Sequence, residues 1–168
     1  LQRIHDERPT RVIVLPLAKN SGKAEAVRQG VRHVTALGRY TFVGYWDADL
    51  STPLDESRRL LAVLESDPGC RLVMGSRVKR LGAHIERRVV RHVLGRLFSA
   101  TASVMLGLSV YDSQCGAKMF RAVDADLLFG APFLSHWLFD LEIIIRLRDA
   151  PGVASVSATR EVPLNMWR

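Results

Sequence analysis

Short apolar runs alternate with longer amphipathic stretches along most of the chain. Runs rich in β-branched and aromatic residues favour strands, and apolar residues three and four positions apart favour helices. The predicted strands are Val12–Leu15, Tyr40–Trp46, Arg71–Ser76 and a last one around Val153–Val162. The predicted helices are Ala24–Leu37, Leu54–Glu65 and one near Leu138–Arg148. This alternation predicts an α/β fold, in which a parallel or mixed sheet carries helices on its faces.

The pattern changes after Arg77. A long helical stretch is predicted from about Glu86 to Leu106, with apolar residues at helical spacing and arginines concentrated in its first part. The segment Tyr111–Phe120 follows a turn that contains glycine. The chain has 168 residues, of which 48% are hydrophobic, and shows no internal repeat or linker. We therefore predict one domain around one core.

Two carboxylates follow the strand predicted at Tyr40–Trp46. Asp47 and Asp49 are separated by one residue, so an extended chain points both to the same side. Two like charges placed in this way require a cation between them, and oxygen ligands suit Mg²⁺ or Mn²⁺ that bridges phosphates. In open α/β sheets, ligands bind at this carboxyl edge of the strands. The alternative is a solvated turn with two incidental acids.

The residues after this motif indicate where a helix begins. Thr52 can cap a helix, Pro53 suits the first helical position, and Asp55 stands where a capping box has an acid. The Asp-x-Asp motif is therefore predicted to lie at a strand-to-helix junction.

Positive charge is concentrated between Arg77 and Arg96. The chain has 24 Lys and Arg against 17 Asp and Glu, and this window alone holds seven basic residues and one acid. Such a cluster implies a polyanion, a phosphorylated ligand or an anionic membrane surface as partner. Because Arg77 follows a predicted strand, its side chain is expected at the same edge as Asp47, where it suits a phosphate clamp.

The second part of the basic cluster lies on the predicted long helix. Arg87 and Arg91 are four residues apart, so they share a helix face that can grip one phosphate. The region lacks interleaved aromatic residues for stacking on bases, which disfavours a nucleic-acid partner. An apolar stripe continues directly from the basic turn, which favours a helix lying on a membrane beside lipid phosphates. The alternative is an ordinary core-facing helix with a solvated basic face.

The segment Asn20-Ser-Gly-Lys23-Ala24 resembles a phosphate-binding loop only in part. A Walker loop needs Gly five residues before the Gly-Lys pair and Ser or Thr after it, whereas this chain has Leu17 and Ala24. Gly22 nevertheless permits close backbone approach at a helix start, and Lys23 adds a charge. A diphosphate is therefore expected nearby, with a plain helix cap as the alternative.

Seven short blocks occur in the order seen in family-two glycosyltransferases of the GT-A fold, which the chain resembles over essentially its whole length. The blocks are Asn20-Ser-Gly-Lys23, Asp47-Ala-Asp-Leu-Ser-Thr-Pro53, Gly75-Ser-Arg77, Asp112-Ser-Gln-Cys-Gly116, Lys118-Met-Phe120, Trp137-Leu-Phe-Asp140-Leu-Glu142 and Glu161-Val-Pro163. Within that family the chain is most similar to dolichyl- or polyprenyl-phosphate glucosyltransferases, with the mannosyl enzymes close behind. The resemblance implies a Rossmann-like GT-A fold with a mixed, mainly parallel sheet.

The resemblance also implies an activity and a site. The activity is metal-dependent, inverting transfer of a hexose from a nucleotide diphosphate sugar to a lipid phosphate, at the cytoplasmic face of a membrane. Asp47 and Asp49 would hold Mg²⁺ or Mn²⁺ and, with Lys23, the donor diphosphate. The implied acceptor-phosphate ligands are Arg77, Arg87 and Arg91. The implied catalytic pocket, which positions the sugar and the acceptor, contains Asp112, Gln114, Asp140 and Glu142.

Simpler roles stay open for the pocket residues. Asp140 and Glu142 can cap or solvate the helix that follows them, and Asp112 and Gln114 can form a turn. A phosphate-monoester acceptor is mostly ionised near neutral pH, because its second pKa is about 6. Asp140 is therefore expected to orient groups in the pocket rather than to remove a proton.

Two departures from the family pattern matter. The family usually has an aromatic residue where this chain has Ala117. Family members also begin with two strands and an acidic segment that hold the base and the ribose, and none of these precedes Leu1. Residues 1–168 are therefore expected to form a partial catalytic domain that lacks its N-terminal strands and is inactive alone.

Two other classes of protein stay open. An Asp-x-Asp-x-Ser motif after an apolar strand also resembles haloacid-dehalogenase-type phosphatases, in which the first Asp is a nucleophile. The other class is a basic module that binds nucleic acid without enzymatic activity. Salt-sensitive DNA binding without metal dependence would favour that class.

Overall fold

The computed structural model describes residues 2–85, 110–152 and 158–168. Its helices are α1 (Gln2–Glu7), α2 (Gly22–Ala36), α3 (Glu56–Ser66), α4 (Ala125–Phe129) and α5 (Phe139–Arg148), and a short 3-10 turn (Ala122–Asp124) precedes α4. The strands are β1 (Phe42–Trp46), β2 (Leu72–Ser76), β3 (His84–Ile85), β4 (Ala117–Arg121), β5 (Thr159–Pro163) and β6 (Met166–Trp167). Helices α2, α3 and α5 and strands β1, β2 and β5 lie where the sequence predicted helices and strands.

The main sheet has four strands in the order β1-β4-β2-β5. Strand β4 runs antiparallel to both of its neighbours, and β2 pairs with β5 in parallel. It follows that β1, β2 and β5 run in one direction and that β4 alone is reversed. This arrangement confirms the predicted mixed, mainly parallel sheet. Strands β3 and β6 form a separate parallel pair.

Different helices pack against the two faces of the sheet. Leu72 and Met74 of β2 belong to the larger core, which also contains Phe120 of β4 and residues of α2, α4 and α5. Val73, between them in sequence, packs on the opposite face with Leu60 and Leu64 of α3. Because side chains alternate across a strand, one fully buried strand supplies both cores.

The prediction of a strand at Val12–Leu15 is wrong. This segment is not helical and pairs with no strand among the described residues, and Ile13 and Leu15 are 54% and 40% exposed. Apolar alternation favours an extended chain, but only a partner's backbone groups turn that chain into a strand. Strand β1, which lies at the edge of the described sheet, pairs only with β4.

The predicted capping box is also wrong. Helix α3 begins at Glu56, and Asp55 precedes it without a side-chain capping hydrogen bond, while Thr52 is buried. The first residue of α3 makes tertiary contacts instead. The buried Glu56 carboxylate accepts the backbone N–H of Asn165 at 2.8 Å and pairs with Arg59 at 2.6 Å. The long helix predicted from Glu86 to Leu106, with Arg87 and Arg91, lies outside the described residues.

An ion pair within α2 gives a pH-dependent prediction. Arg28 donates to both Glu25 carboxylate oxygens at 2.7 and 2.8 Å, Gln29 donates to one of them at 2.6 Å, and these hydrogen bonds lower the pKa of Glu25 to about 2. A carboxylate with a lowered folded-state pKa stabilises the fold above its ordinary pKa of 4.5, and this contribution is lost as the pH falls toward 2. Glu25→Gln should therefore reduce the free energy of unfolding by about 1 kcal/mol at pH 7 and by less at lower pH.

Urea unfolding at pH 7 and pH 3 measures this effect. Glu65→Gln, which changes an exposed glutamate of α3, is the control and should have little effect at either pH. An equal loss of stability by Glu25→Gln at both pH values would show that packing, rather than the ion pair, explains the contribution.

Candidate active site

The carboxyl ends of β1 and β2 meet one loop at the same edge of the sheet. This loop, residues 112–116, leads into β4, and we call it the bridging loop. The backbone N–H of Asp47, just after β1, donates to the Gly116 carbonyl at 2.8 Å. The backbone N–H of Arg77, just after β2, donates to the Asp112 carboxylate at 3.0 Å. The bridging loop therefore fixes both strand ends relative to each other.

Asp47 lies between Lys23 and Gly116. Lys23 is in the first turn of α2, and its Nζ is 2.5 Å from Asp47 Oδ1. On the other side, a Cβ added to Gly116 would overlap the Asp47 carboxylate. The carboxylate is therefore seated on the backbone of the bridging loop, in a space that only glycine leaves open. Lys23, predicted near a diphosphate, is brought to the Asp-x-Asp motif.

Asp49 lies in the tight turn that follows. The backbone N–H of Ser51 donates to Asp49 Oδ1 at 2.9 Å, and Leu50 between them has a φ of 52°. The hydrogen bond from the Ser51 backbone lowers the pKa of Asp49 most; burial opposes this shift, and the nearby charge of Lys23 lowers the pKa further. Asp49 is therefore ionised at neutral pH.

The carboxylates of Asp47 and Asp49 are ligands of the type that a divalent cation takes together with phosphate and water. Asp47 Oδ1 is buried and accepts no well-aligned hydrogen bond, although the Lys23 ammonium is close to it. No group of three or more His, Cys, Asp or Glu side chains converges anywhere in residues 2–85, 110–152 or 158–168. Mg²⁺ commonly binds through one or two carboxylates together with substrate phosphates, and this donor set suits that mode of binding.

Arg77 forms a two-pronged ion pair with Asp112. Its Nε and Nη2 donate to the two carboxylate oxygens at 2.7 Å each. Burial alone would lower the pKa of Arg77, but the hydrogen bonds with Asp112 raise it. Glu161 supports this pair, because its carboxylate accepts the backbone N–H groups of Tyr111 and Asp112 at 2.8 and 2.7 Å. Two predicted site residues thus contact each other, and Glu161 is a supporting residue to which the sequence assigned no role.

Asp140 belongs to a buried cluster with Lys118 and Tyr45. Lys118 Nζ and the Tyr45 hydroxyl both donate to Asp140 Oδ1 at 2.6 Å. Burial, and then the charge of Asp140, raise the pKa of Tyr45 well above its ordinary value. The hydroxyl therefore stays protonated and donates a hydrogen bond to Asp140. Sequence reasoning missed Lys118 and Tyr45 as partners of Asp140. The local signal was a lysine inside β4 and a tyrosine inside β1, and this signal does not identify their partner.

Glu142 and Gln114 have different surroundings. Glu142 accepts the backbone N–H of Leu134 at 2.9 Å and pairs with Arg146 at 2.7 Å. These contacts tie α5 to the preceding loop, which favours the simpler role for Glu142. Gln114 lies in the bridging loop, and its Nε2 is buried without a hydrogen-bond partner.

Buried polar atoms without partners concentrate at this edge of the sheet. All such side-chain atoms among the described residues lie within two positions of Asp47, Arg77 or Asp112 in sequence. They are Trp46 Nε1, Ser76 Oγ, Ser113 Oγ and Gln114 Nε2, while Asp47 Oδ1 accepts no well-aligned hydrogen bond but lies 2.5 Å from Lys23 Nζ. Each unpaired buried group costs about 1–3 kcal/mol, so native proteins keep few of them unless water or a ligand satisfies them. Water or a polar ligand at this edge would satisfy them.

The protein has an α/β fold, and the carboxyl edge of its sheet carries two carboxylates, a lysine and an arginine. This combination is typical of a phosphate-binding protein. Residues 1–128 match the family model described as Glycosyl transferase family 2. The chain belongs to this family. Membership favours the transferase interpretation over the phosphatase and nucleic-acid-binding alternatives.

Several relatives support the more specific resemblance. The dolichyl-phosphate beta-glucosyltransferase of Drosophila melanogaster is 32% identical over 146 residues, which cover 80% of this chain and 41% of that protein. The enzyme of the same name from Saccharomyces cerevisiae is 27% identical over 145 residues, which cover 79% and 42%. These matches confirm the predicted resemblance to dolichyl-phosphate glucosyltransferases. The chain spans about two fifths of the length of these relatives.

Solved structures confirm the GT-A fold. Glucosyl-3-phosphoglycerate synthase of Mycobacterium tuberculosis matches with a TM-score of 0.58 at 22% identity, over 98% of this chain and 51% of that one. A structure of the same enzyme in complex with Mn²⁺, uridine-diphosphate-glucose and glycerol 3-phosphate matches with a TM-score of 0.57 over the same shares. At this identity the likeness concerns the fold.

Proposed function

We propose that the protein transfers a hexose from a nucleotide diphosphate sugar to a polyprenyl-type lipid phosphate with the help of Mg²⁺ or Mn²⁺. The main supporting observation is the contact of Lys23 with Asp47 at the start of α2, beside the ionised Asp49, in a family-two chain. A cation, two carboxylates and a helix N-terminus together suit a metal-bound diphosphate.

The residues on the donor side act on the leaving diphosphate. Asp47 and Asp49 would hold the divalent ion, which supplies positive charge to the diphosphate as the bond to the sugar breaks. Lys23 neutralises Asp47 in the structure, and a bound diphosphate would offer its ammonium a second anionic partner. The amide groups at the start of α2 favour negative charge at the same place.

The residues on the acceptor side bind and orient a phosphate. Arg77 lies at the same sheet edge as Asp47, and its guanidinium is aligned by Asp112. Arg87 and Arg91, predicted to share this role, lie outside the described residues. An ionised phosphate is already nucleophilic, so the reaction needs an aligned acceptor more than a strong base. Asp140, whose charge is paired with Lys118, suits a role in orienting groups rather than in removing a proton.

Glucose and a membrane location are the narrower parts of the proposal. The relatives are named dolichyl-phosphate beta-glucosyltransferases, which favours glucose as the sugar and dolichyl phosphate as the acceptor. A lipid acceptor requires the protein to work at a membrane surface, and the cytoplasmic face is the side we propose. No helix within the described ranges has the length and apolar character needed to span a bilayer.

A transfer assay with the full-length protein tests this function. The protein is incubated with dolichyl phosphate in detergent, Mn²⁺ and radiolabelled UDP-glucose or GDP-mannose, and lipid-linked sugar is extracted. We expect a glucolipid that forms only with metal and lipid phosphate, and EDTA should abolish it. Product formed without dolichyl phosphate would contradict the acceptor assignment. An equal amount of product after EDTA treatment would contradict the metal assignment.

A further inference from the structure

Lys118 is a fully buried lysine in strand β4, and its exposed fraction is 0%. Its ammonium donates to three oxygens: the Ser113 carbonyl at 2.9 Å, the Cys115 carbonyl at 2.7 Å and Asp140 Oδ1 at 2.6 Å. Three acceptors around one nitrogen require three N–H groups, which only the charged ammonium has. The cluster is therefore a buried ion pair in which every lysine donor is used.

Two of these three oxygens belong to the bridging loop. Lys118 therefore links the bridging loop to Asp140 on α5. The last residue of the loop, Gly116, accepts the Asp47 N–H and lies directly under the Asp47 carboxylate. A displacement of the loop would move Gly116 and the carboxylate seated on it. The geometry links a buried lysine to a proposed metal ligand through one short loop.

We propose that Lys118 is a positioning residue for the donor site, which fixes the bridging loop and thereby holds the Asp47 carboxylate in place. This proposal rests on the proposed function, because it treats Asp47 as a ligand of the metal-bound diphosphate. Because Lys118 is fully buried, it is expected to act through the loop and not by contact with substrate or metal. Its proposed effect is on the position of Asp47, so loss of Lys118 should weaken metal and donor binding in addition to lowering stability.

The test compares two destabilising variants of the full-length protein. Lys118→Met removes the ammonium, and Leu128→Ala removes a fully buried core side chain of α4. Both should lower the melting temperature, because an unpaired buried Asp140 and a core cavity are each costly. Binding of Mn²⁺ is then measured on folded protein by the electron paramagnetic resonance of free Mn²⁺. The titration contains uridine diphosphate if UDP-glucose supports transfer, and guanosine diphosphate if GDP-mannose does.

We expect Lys118→Met to raise the apparent Mn²⁺ dissociation constant about tenfold or more and Leu128→Ala to change it less than about twofold. The double variant Lys118→Met/Asp140→Asn leaves no unpaired buried charge, and its amide oxygen still accepts from Tyr45. It provides a folded protein if the single variant unfolds, and it should show the same loss of Mn²⁺ affinity.

Normal Mn²⁺ affinity in a folded Lys118 variant would overturn the proposal, and so would an equal loss in Leu128→Ala. The Asp49→Ala variant separates this outcome from failure of the proposed function. If Asp49→Ala binds Mn²⁺ normally, the metal assignment itself is wrong. If Asp49→Ala loses Mn²⁺ and the Lys118 variants do not, only the positioning role of Lys118 is wrong.

Discussion

Asp49→Ala should reduce sugar transfer by the full-length protein by about 100-fold or more. Asp49 is ionised and sits in a turn fixed by Ser51, so it offers a negative oxygen two residues after Asp47. With alanine, a single carboxylate would remain for the cation, and Lys23 already competes for that carboxylate. Initial rates of lipid-linked sugar formation, measured over a range of Mn²⁺ concentrations, give the size of the effect.

Asp55→Ala is the matched control for this variant. Asp55 belongs to the same loop, is exposed, and makes no capping hydrogen bond to α3. Its removal changes the net charge by the same amount and should leave the rate within about twofold, because exposed charges interact weakly through water. If Asp49→Ala keeps near-normal transfer with unchanged Mn²⁺ dependence, the metal does not bind at the Asp-x-Asp motif.

Gly116→Ala should inactivate the protein by a purely steric route. The added methyl group would occupy the space of the Asp47 carboxylate, so either that side chain or the bridging loop must move. Gly116 does not have a positive φ, so alanine is allowed by the backbone and the clash is the main cost. Because a small misplacement of a positioning group can cost about 100-fold in rate, we expect transfer to fall at least that far.

Gly30→Ala controls for the loss of a glycine. Gly30 lies in the middle of α2, and a Cβ there meets nothing within 4 Å. Alanine favours the helix, so this variant should keep full activity and gain up to about 1 kcal/mol of stability. Melting curves and transfer rates of both variants can be compared directly. Normal transfer by Gly116→Ala would show that the position of Asp47 does not matter for the reaction.

The parts of the fold that the sequence predicted are those governed by local periodicity. Helix α2 and strand β1 were predicted to within two residues at each end, because helical or β spacing of apolar positions was clear in each. The position of the Asp-x-Asp motif followed from β1, since any residue after Trp46 must lie at the carboxyl edge of the sheet. Lys23 was predicted near a diphosphate because a helix was predicted to start beside it, and its link to the Asp-x-Asp motif came from the family resemblance.

The parts that the sequence did not predict depend on contacts between distant residues. The carboxylate of Glu56 was not expected to bind the backbone of Asn165, and this contact replaced the predicted capping box. In the same way, nothing local shows that Lys118 in β4 pairs with Asp140 in α5. Such pairs form only after the sheet brings the elements together, so spacing along the chain carries no information about them.

The reversed strand β4 sets the order in which the sheet can assemble. It lies between β1 and β2, so that Phe42 pairs with Arg121 and Leu72 pairs with Phe120, although β1 and β2 come much earlier in the chain. During synthesis on the ribosome, β1 and β2 emerge first, and the edges that will face β4 stay unpaired until it follows. Unpaired apolar strand edges promote association with other chains. A nascent chain that ends before Ala117 therefore leaves these edges open and is expected to need protection by chaperones.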